Sequence, residues 1–103
     1  MTIERRDPID FAALNAHCLA RADTLLAMWT GAPVRRVGNE LQLLNPTRDD
    51  RRYGSFSVNQ RTGAWADFAT GDKGGDLVSL YAFLKGLRQV EAARDLIHRW
   101  EMV

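Results

Sequence analysis

The stretch Gly54–Leu87, GSFSVNQRTGAWADFATGDKGGDLVSLYAFLKGL, decides how the rest of the 103-residue chain is read. Ser55–Val58 alternates, with Phe56 and Val58 on one face, as a half-buried strand does. Asn59–Gly63 is a turn ending in glycine, and Ala64–Phe68 is the return strand. Thr70–Gly75 is a glycine-rich loop, after which Asp76 caps a helix running to Lys85. Leu77, Leu80, Tyr81 and Leu84 form the apolar side of that helix. Gly86 stands where a left-handed C-terminal residue is wanted.

Outward from this stretch the pattern continues on both sides. Downstream, Val90, Ala93, Ile97 and Trp100 recur at helical spacing and define a last helix over 89–100. Upstream, Val34–Val37 and Glu40–Leu44 flank Gly38-Asn39, a two-residue hairpin turn. Leu41 and Leu43 then face one side, with Gln42 and Leu44 on the other. Asn45–Tyr53 is polar, contains Pro46 and reads as a loop. Near the N-terminus, Asp7-Pro8 has the form of an N-cap followed by proline at the first helical position. Phe11, Leu14, Cys18, Ala22, Leu25 and Trp29 follow at three- and four-residue steps, widened by Leu19 and Leu26. They predict an amphipathic helix of about 18–20 residues, ended by Thr30-Gly31-Ala32-Pro33, with a break near 21–23 as a variant. The stripe is read as core.

The expected architecture is α+β and a single domain over 1–103. Residues 1–33 carry the N-terminal helix, 34–68 a four-stranded antiparallel sheet, and 69–103 the glycine loop and two helices. With 46% apolar and 26% charged residues and three Trp, the composition is that of a folded domain rather than a disordered one. No apolar run approaches the ~18 residues of a membrane span, and MTIERRDP lacks the apolar stretch of a signal peptide. The expected location is cytoplasmic.

Metal and nucleophile chemistry find little support. Cys18, His17 and His98 are the only Cys and His residues. A structural zinc site takes four such ligands in close-spaced pairs, so neither a metal nor a cofactor is expected. Cys18 reads as a small apolar core residue, and the two His as solvated or capping residues on helices. No Ser has a His nearby in sequence. The glycine loop fails the phosphate-loop pattern, because no Gly-Lys-Ser/Thr follows, and Asp72 and Asp76 oppose an anion there. It reads as a tight strand-to-helix connection with Lys73 at its tip. Asp49-Asp50 lies among Arg48, Arg51 and Arg52, which points to local ion pairing rather than to a Mg²⁺ site. The chain is not expected to be an enzyme by itself.

The net charge of +1 is unevenly distributed. Residues 34–61 hold Arg35, Arg36, Arg48, Arg51, Arg52 and Arg61 against Glu40, Asp49 and Asp50, while both flanks are slightly acidic. Arginine offers a planar multi-donor head suited to phosphate and to stacking on bases. Tyr53, Phe56, Trp65 and Phe68 interleave with these arginines, the pattern by which single-stranded nucleic acid is held. Phe56 and Phe68 are assigned to the core of the sheet. Tyr53 and Trp65 are the stacking candidates, because one face of a thin sheet stays wet. A merely solvated arginine face is the competing interpretation.

These residues carry a resemblance to the N-terminal zinc-ribbon domain of DnaG-type DNA primases. Ser55-Phe56-Ser57-Val58 matches its first ribbon strand, Gly75-Asp76 with Val78-Ser79-Leu80 its helix start, and Glu91-Ala92-Ala93 its last helix. The likeness spans about 40–97. Asn45, Arg48, Asp67 and Thr70 stand at the four ligand positions, so zinc is not implied. Trp65–Gly71 resembles more closely the metal-less primase-like domains of plasmid, phage and integrated-element replication proteins. That resemblance implies a replication role, with single-stranded DNA or a primer–template as ligand and a primase, polymerase or helicase module as partner in cis or in trans. It further suggests that Trp65 and Phe68 fill the space of the metal, with Asp67 capping a turn or pairing with Arg48. Arg35, Arg36, Arg48, Arg51, Arg52, Arg61 and Lys73 are the expected phosphate contacts. The alternative is a protein–protein adaptor that docks such a module without touching DNA.

Overall fold

The computed structural model describes residues 8–101, and the structural statements below concern these residues. Four helices and five strands follow one another: α1 (Phe11–Leu19), α2 (Ala22–Thr30), β1 (Arg35–Val37), β2 (Glu40–Leu43), β3 (Phe56–Asn59), β4 (Trp65–Asp67), β5 (Asp72–Gly74), α3 (Leu77–Lys85) and α4 (Gln89–Glu101). The fold is therefore α+β as expected, with a fifth strand. The sheet is an antiparallel meander in the order β1-β2-β3-β4-β5. Part of the glycine stretch read as a loop is thus β5, which pairs Lys73 with Ala66 and Gly74 with Trp65. Sequence pattern misses it because three residues, two charged and one glycine, carry no alternation to detect.

The expected N-terminal helix is two helices. Its first turn is capped by Asp10, whose carboxylate accepts the Ala13 N–H at 2.9 Å. Pro8 precedes the helix, and Asp7 lies outside the described residues. The chain breaks at Ala20-Arg21, where Arg21 leaves the helical region at φ −128°, ψ 29°. The break lets α1 pack on α3 and α4 while α2 lies across β2 and α3. Leu14, Cys18, Ala22, Leu26 and Trp29 all reach the core. Gly31 ends α2 in the left-handed region at φ 77°, as Gly86 ends α3 at φ 68°.

The helices lie on one side of the sheet, α2 and α3 against its strands and α1 and α4 against α3. Leu41, Leu43, Phe56, Val58 and Trp65 point into the core, in accord with the strand alternation. Leu77, Val78, Leu80, Tyr81 and Ala82 of α3, and Ala92, Ala93 and Leu96 of α4, complete it. Val90 is exposed rather than packed, and the Trp100 side chain lies outside the described residues. Cys18 is fully buried, and burial, followed by the nearby Asp76, pushes its thiol up to about 12. It is an inert core residue. His17 and His98 are exposed on their helices. No helix is long and apolar enough to cross a membrane.

Two polar anchors tie the layers together. Asn15 of α1 donates to the Thr62 carbonyl and accepts the Leu77 N–H, both at 2.9 Å, clipping the β3–β4 turn to the start of α3. The second anchor is Ser79. With Asp76 it forms a capping box, and its hydroxyl also accepts the Trp65 indole N–H at 2.9 Å. Gly74 backs this contact with ordinary φ, so its role is space rather than conformation. A Cβ there would overlap the Ser79 hydroxyl and the indole, with Trp65 Cε2 only 2.8 Å away. Gly74→Ala is therefore expected to lower stability by about 1–3 kcal/mol, the usual cost of overpacking a filled core. Urea denaturation of the variant measures it, and a wild-type midpoint would refute the assignment.

Candidate nucleic-acid interface

Strand register decides which side chains share the uncovered face. Arg35 pairs with Gln42, Gln42 with Ser57, Ser57 with Ala66 and Ala66 with Lys73, one row crossing all five strands. The neighbouring row, Arg36–Leu41–Val58–Trp65–Gly74, points the opposite way, to the helix side, where Leu41, Val58 and Trp65 enter the core. This face has half-buried Gln42 and Ala66 and the buried Ser57 at its centre, with an exposed cation at each end. Arg35 and Lys73 are both exposed, and neither makes an ion pair among the described residues. Lys73 sits on this row in β5 rather than at the tip of a loop.

The remaining predicted contacts divide into three groups. Arg52 and Arg61 are exposed and also without an ion pair among the described residues. Arg51 pairs with Asp49 at 2.9 Å, but both are highly exposed, so the pair is weak and separable. Arg36 and Arg48 are corrections to the expected phosphate contacts. Arg36 projects to the helix side and bridges Asp23 of α2, at 2.6 Å, and Gln60. That bridge borders a shallow cavity of 310 Å³ beside the α1–α2 break. Arg48 is turned inward and engaged by carboxylates.

Among the aromatics Phe56 is in the core as expected, but the expected exposures of Trp65 and Phe68 are exchanged. Trp65 is only 6% exposed, with rings of Phe56 and Phe83 at 6.2 and 5.0 Å, and has no free face for a base. Tyr53 is half-buried, and its hydroxyl donates to the Pro33 carbonyl at 2.6 Å, bracing the chain ahead of β1. Phe68, assigned to the core, is 77% exposed. Its N–H bonds the Ser55 carbonyl at 2.8 Å and so continues the ladder one residue past β4. Alternation explains the result: with Trp65 and Asp67 inward, Ala66 and Phe68 point outward. The same period-two argument, applied along Trp65–Phe68, is the signal that finds Phe68 in the sequence.

Behind this face lies a buried polar cluster that joins two matching turns. In the first, Asn45 Oδ1 accepts the Thr47 N–H at 2.9 Å, and the Arg48 N–H reaches the Asn45 carbonyl at 3.4 Å. In the second, Asp67 Oδ1 accepts the Ala69 N–H at 2.9 Å, and the Thr70 N–H reaches the Asp67 carbonyl at 3.2 Å. Each turn thus carries its two key residues three positions apart, the spacing at which paired ligands of structural zinc sites occur. Across the gap, Asn45 Nδ2 and Arg48 Nε both donate to Asp67 Oδ2 at 2.9 Å. Arg48 Nη2 adds Asp67 Oδ1 at 3.2 Å and Ser55 Oγ at 2.8 Å, with Asp50 at 3.3 Å. The expected Arg48–Asp67 pair and the Asp67 turn cap are both present, while Phe68 takes no part in filling this space. Among the described residues no group of three or more His, Cys, Asp and Glu is placed to hold a metal ion.

With the geometry in view, the comparisons add nothing: no protein-family model, curated protein or solved structure matches the chain.

Asp67 is the most constrained charge in the protein. Burial pushes its carboxyl up, but hydrogen bonds from Arg48, Asn45 and the Ala69 N–H, with the Arg48 charge, hold it below the usual range. A folded-state value below the unfolded one adds stability that is complete above the unfolded carboxylate range of about pH 4. That increment disappears as the pH falls through the lower folded value. Asp67→Asn is expected to cost about 3 kcal/mol at neutral pH, since it leaves Arg48 facing a neutral group. It should also flatten the acid limb of the stability curve below pH ~4. Denaturant titrations from neutral to acidic pH test both effects, and a variant whose stability and acid limb match wild type contradicts them.

Proposed function

We propose that the domain is a non-catalytic module that holds single-stranded DNA, or the single-stranded part of a primer–template, for a primase or helicase acting in cis or in trans. The observation that carries this reading is the open sheet face. Helices pack against the other side, whereas this side carries Gln42, Ser57 and Ala66, two exposed end cations and one exposed aromatic ring. Cations that follow phosphates beside an aromatic that takes a base are what sequence-tolerant single-strand binding requires. Arg35, Arg52, Arg61 and Lys73 supply the unpaired charge, and Arg51 joins them once it leaves Asp49.

The modest number of cations sets the strength expected. Four phosphate contacts give a slope of log K against log salt of about −3 for a single strand. Binding to an oligothymidine should therefore be measurable at low salt and lost near physiological salt. Arg51→Ala combined with Arg52→Ala should weaken it without lowering thermal stability, because both side chains are exposed. Fluorescence anisotropy over a salt series tests this. Absence of binding at low salt overturns the reading in favour of the adaptor.

The paired turns support the resemblance to a primase zinc ribbon that has exchanged its metal for an ion pair. If their geometry is that of such knuckles, placing Cys at 45, 48, 67 and 70 together creates a tetrahedral thiolate site. The fourfold variant should bind one Co²⁺ with the intense visible bands of tetrahedral thiolate coordination, displaced by Zn²⁺. A variant that folds but shows no such bands separates these turns from zinc knuckles.

A further inference from the structure

We infer that Phe68 is the base-stacking residue of this face and that the DNA strand crosses the sheet from Arg35 toward Lys73, perpendicular to the β-strands. The inference rests on the single-strand reading above and assigns its ligand path.

The argument begins with the ring. Among the described residues Phe68 is the most exposed of the large apolar side chains, at 77%, yet its backbone is held. Its N–H is bonded to Ser55, and the preceding residue, Asp67, is fully buried in the polar cluster. The aromatic is therefore displayed on a rigid support, and little order is lost when a flat partner settles on it. A protein partner would need roughly 800 Å² of complementary surface with an apolar centre. Phe68 instead stands beside Ser55 across the ladder, Ala66 along its own strand and Ser57 on the diagonal, all of them small. A single base is the partner whose size and flatness match one isolated ring.

Charge then selects the direction. Lys73 is opposite Ala66, so it is the diagonal neighbour of Phe68, about 7–8 Å away between backbones. That distance suits a base on the ring and its phosphate at the ammonium. Arg35 lies at the far end of the same row, four strand spacings or roughly 19 Å from Lys73. The next row on this face, Val37–Glu40–Asn59, carries a carboxylate that repels phosphate. The favourable track is thus the Arg35–Lys73 row, on the Phe68 side of Glu40. Asp72, the one acidic neighbour on β5, accepts the Thr70 hydroxyl at 2.7 Å and lies on the opposite alternation from Lys73.

The experiment uses a 12-nucleotide oligothymidine carrying one 2-aminopurine, read by anisotropy and by 2-aminopurine quenching. Phe68→Ala should weaken binding by between about fivefold and a hundredfold, the loss of one stacked base. It should abolish the quenching yet leave the salt slope and the melting temperature unchanged, since no cation or core contact is removed. Phe68→Trp should restore both signals, whereas Phe68→Leu, apolar but not flat, should not. Wild-type affinity and quenching in Phe68→Ala would overturn this inference while leaving the single-strand reading intact. Failure of the wild-type protein to bind at low salt would remove both. Lys73→Ala, by contrast, should reduce the salt slope by about 0.7.

Discussion

The buried carboxylate of Asp67 is the constraint on which this structure turns. A fully buried charge costs several kcal/mol in desolvation, and it persists only where hydrogen bonds and an opposite charge answer it. Here Arg48 answers with two donors, Asn45 with one and the Ala69 N–H with another. Those partners come from two separate connections, one leaving β2 and one leaving β4. Satisfying one carboxylate therefore fixes the distance and orientation between two loops that no backbone ladder joins. The same requirement sets where Phe68 stands, because the residue after a buried aspartate at a strand end must face the other way.

A polar cluster of this kind specifies geometry better than it adds stability. A structural zinc ion contributes apparent binding energy on the order of 10–16 kcal/mol to small domains, whereas a buried ion pair roughly breaks even against apolar packing. Stability must then come from hydrophobic area. The chain supplies part of it from the N-terminal side of the sheet: α1 and α2 add Leu14, Cys18, Ala22, Leu26 and Trp29 to the core. Asn15 couples this addition to the sheet at the β3–β4 turn and at the start of α3. The N-terminal helices are thus integral to the fold rather than an appendage. They also leave the sheet with one covered face and one open face.

Much of this was legible in the sequence, and the failures share a cause. Strand alternation places Leu41, Leu43, Phe56 and Val58 correctly, and the Asp76 and Gly86 signals mark both ends of α3. Those features depend on neighbours within a few residues. What escaped depends on contacts distant in sequence. β5 is made a strand by its register with β4, and Asn15 gains its role from partners 47 and 62 residues away. The break offered as a variant near 21–23 falls at Ala20-Arg21, and the different surfaces that α1 and α2 cover make it the form adopted. For the site, residue type suggested that Trp65 was wet and Phe68 dry, and three-dimensional packing inverted the pair. Trp65 has an indole N–H that needs a buried acceptor, found in Ser79, whereas Phe68 has no polar group to satisfy.

The arginines show why composition overstates the field of a binding surface. Six arginines in 34–61 suggest a strongly cationic patch, but each charge acts where its side chain is held. Arg48 is held by the buried Asp67 and by Asp50, and Arg36 is directed to the helical side, where it makes an exposed pair with Asp23. What remains is thin and spread along the edges of the sheet, with little positive potential at its centre. Such a surface cannot rely on long-range attraction, which salt screens over about 8–10 Å. On the single-strand reading proposed above, the hold on a strand would come from short-range contact, so a displayed aromatic gains weight as the cation count falls. The internal pairing of Arg48 and the outward exposure of Phe68 are in this sense one feature, since Asp67 produces both.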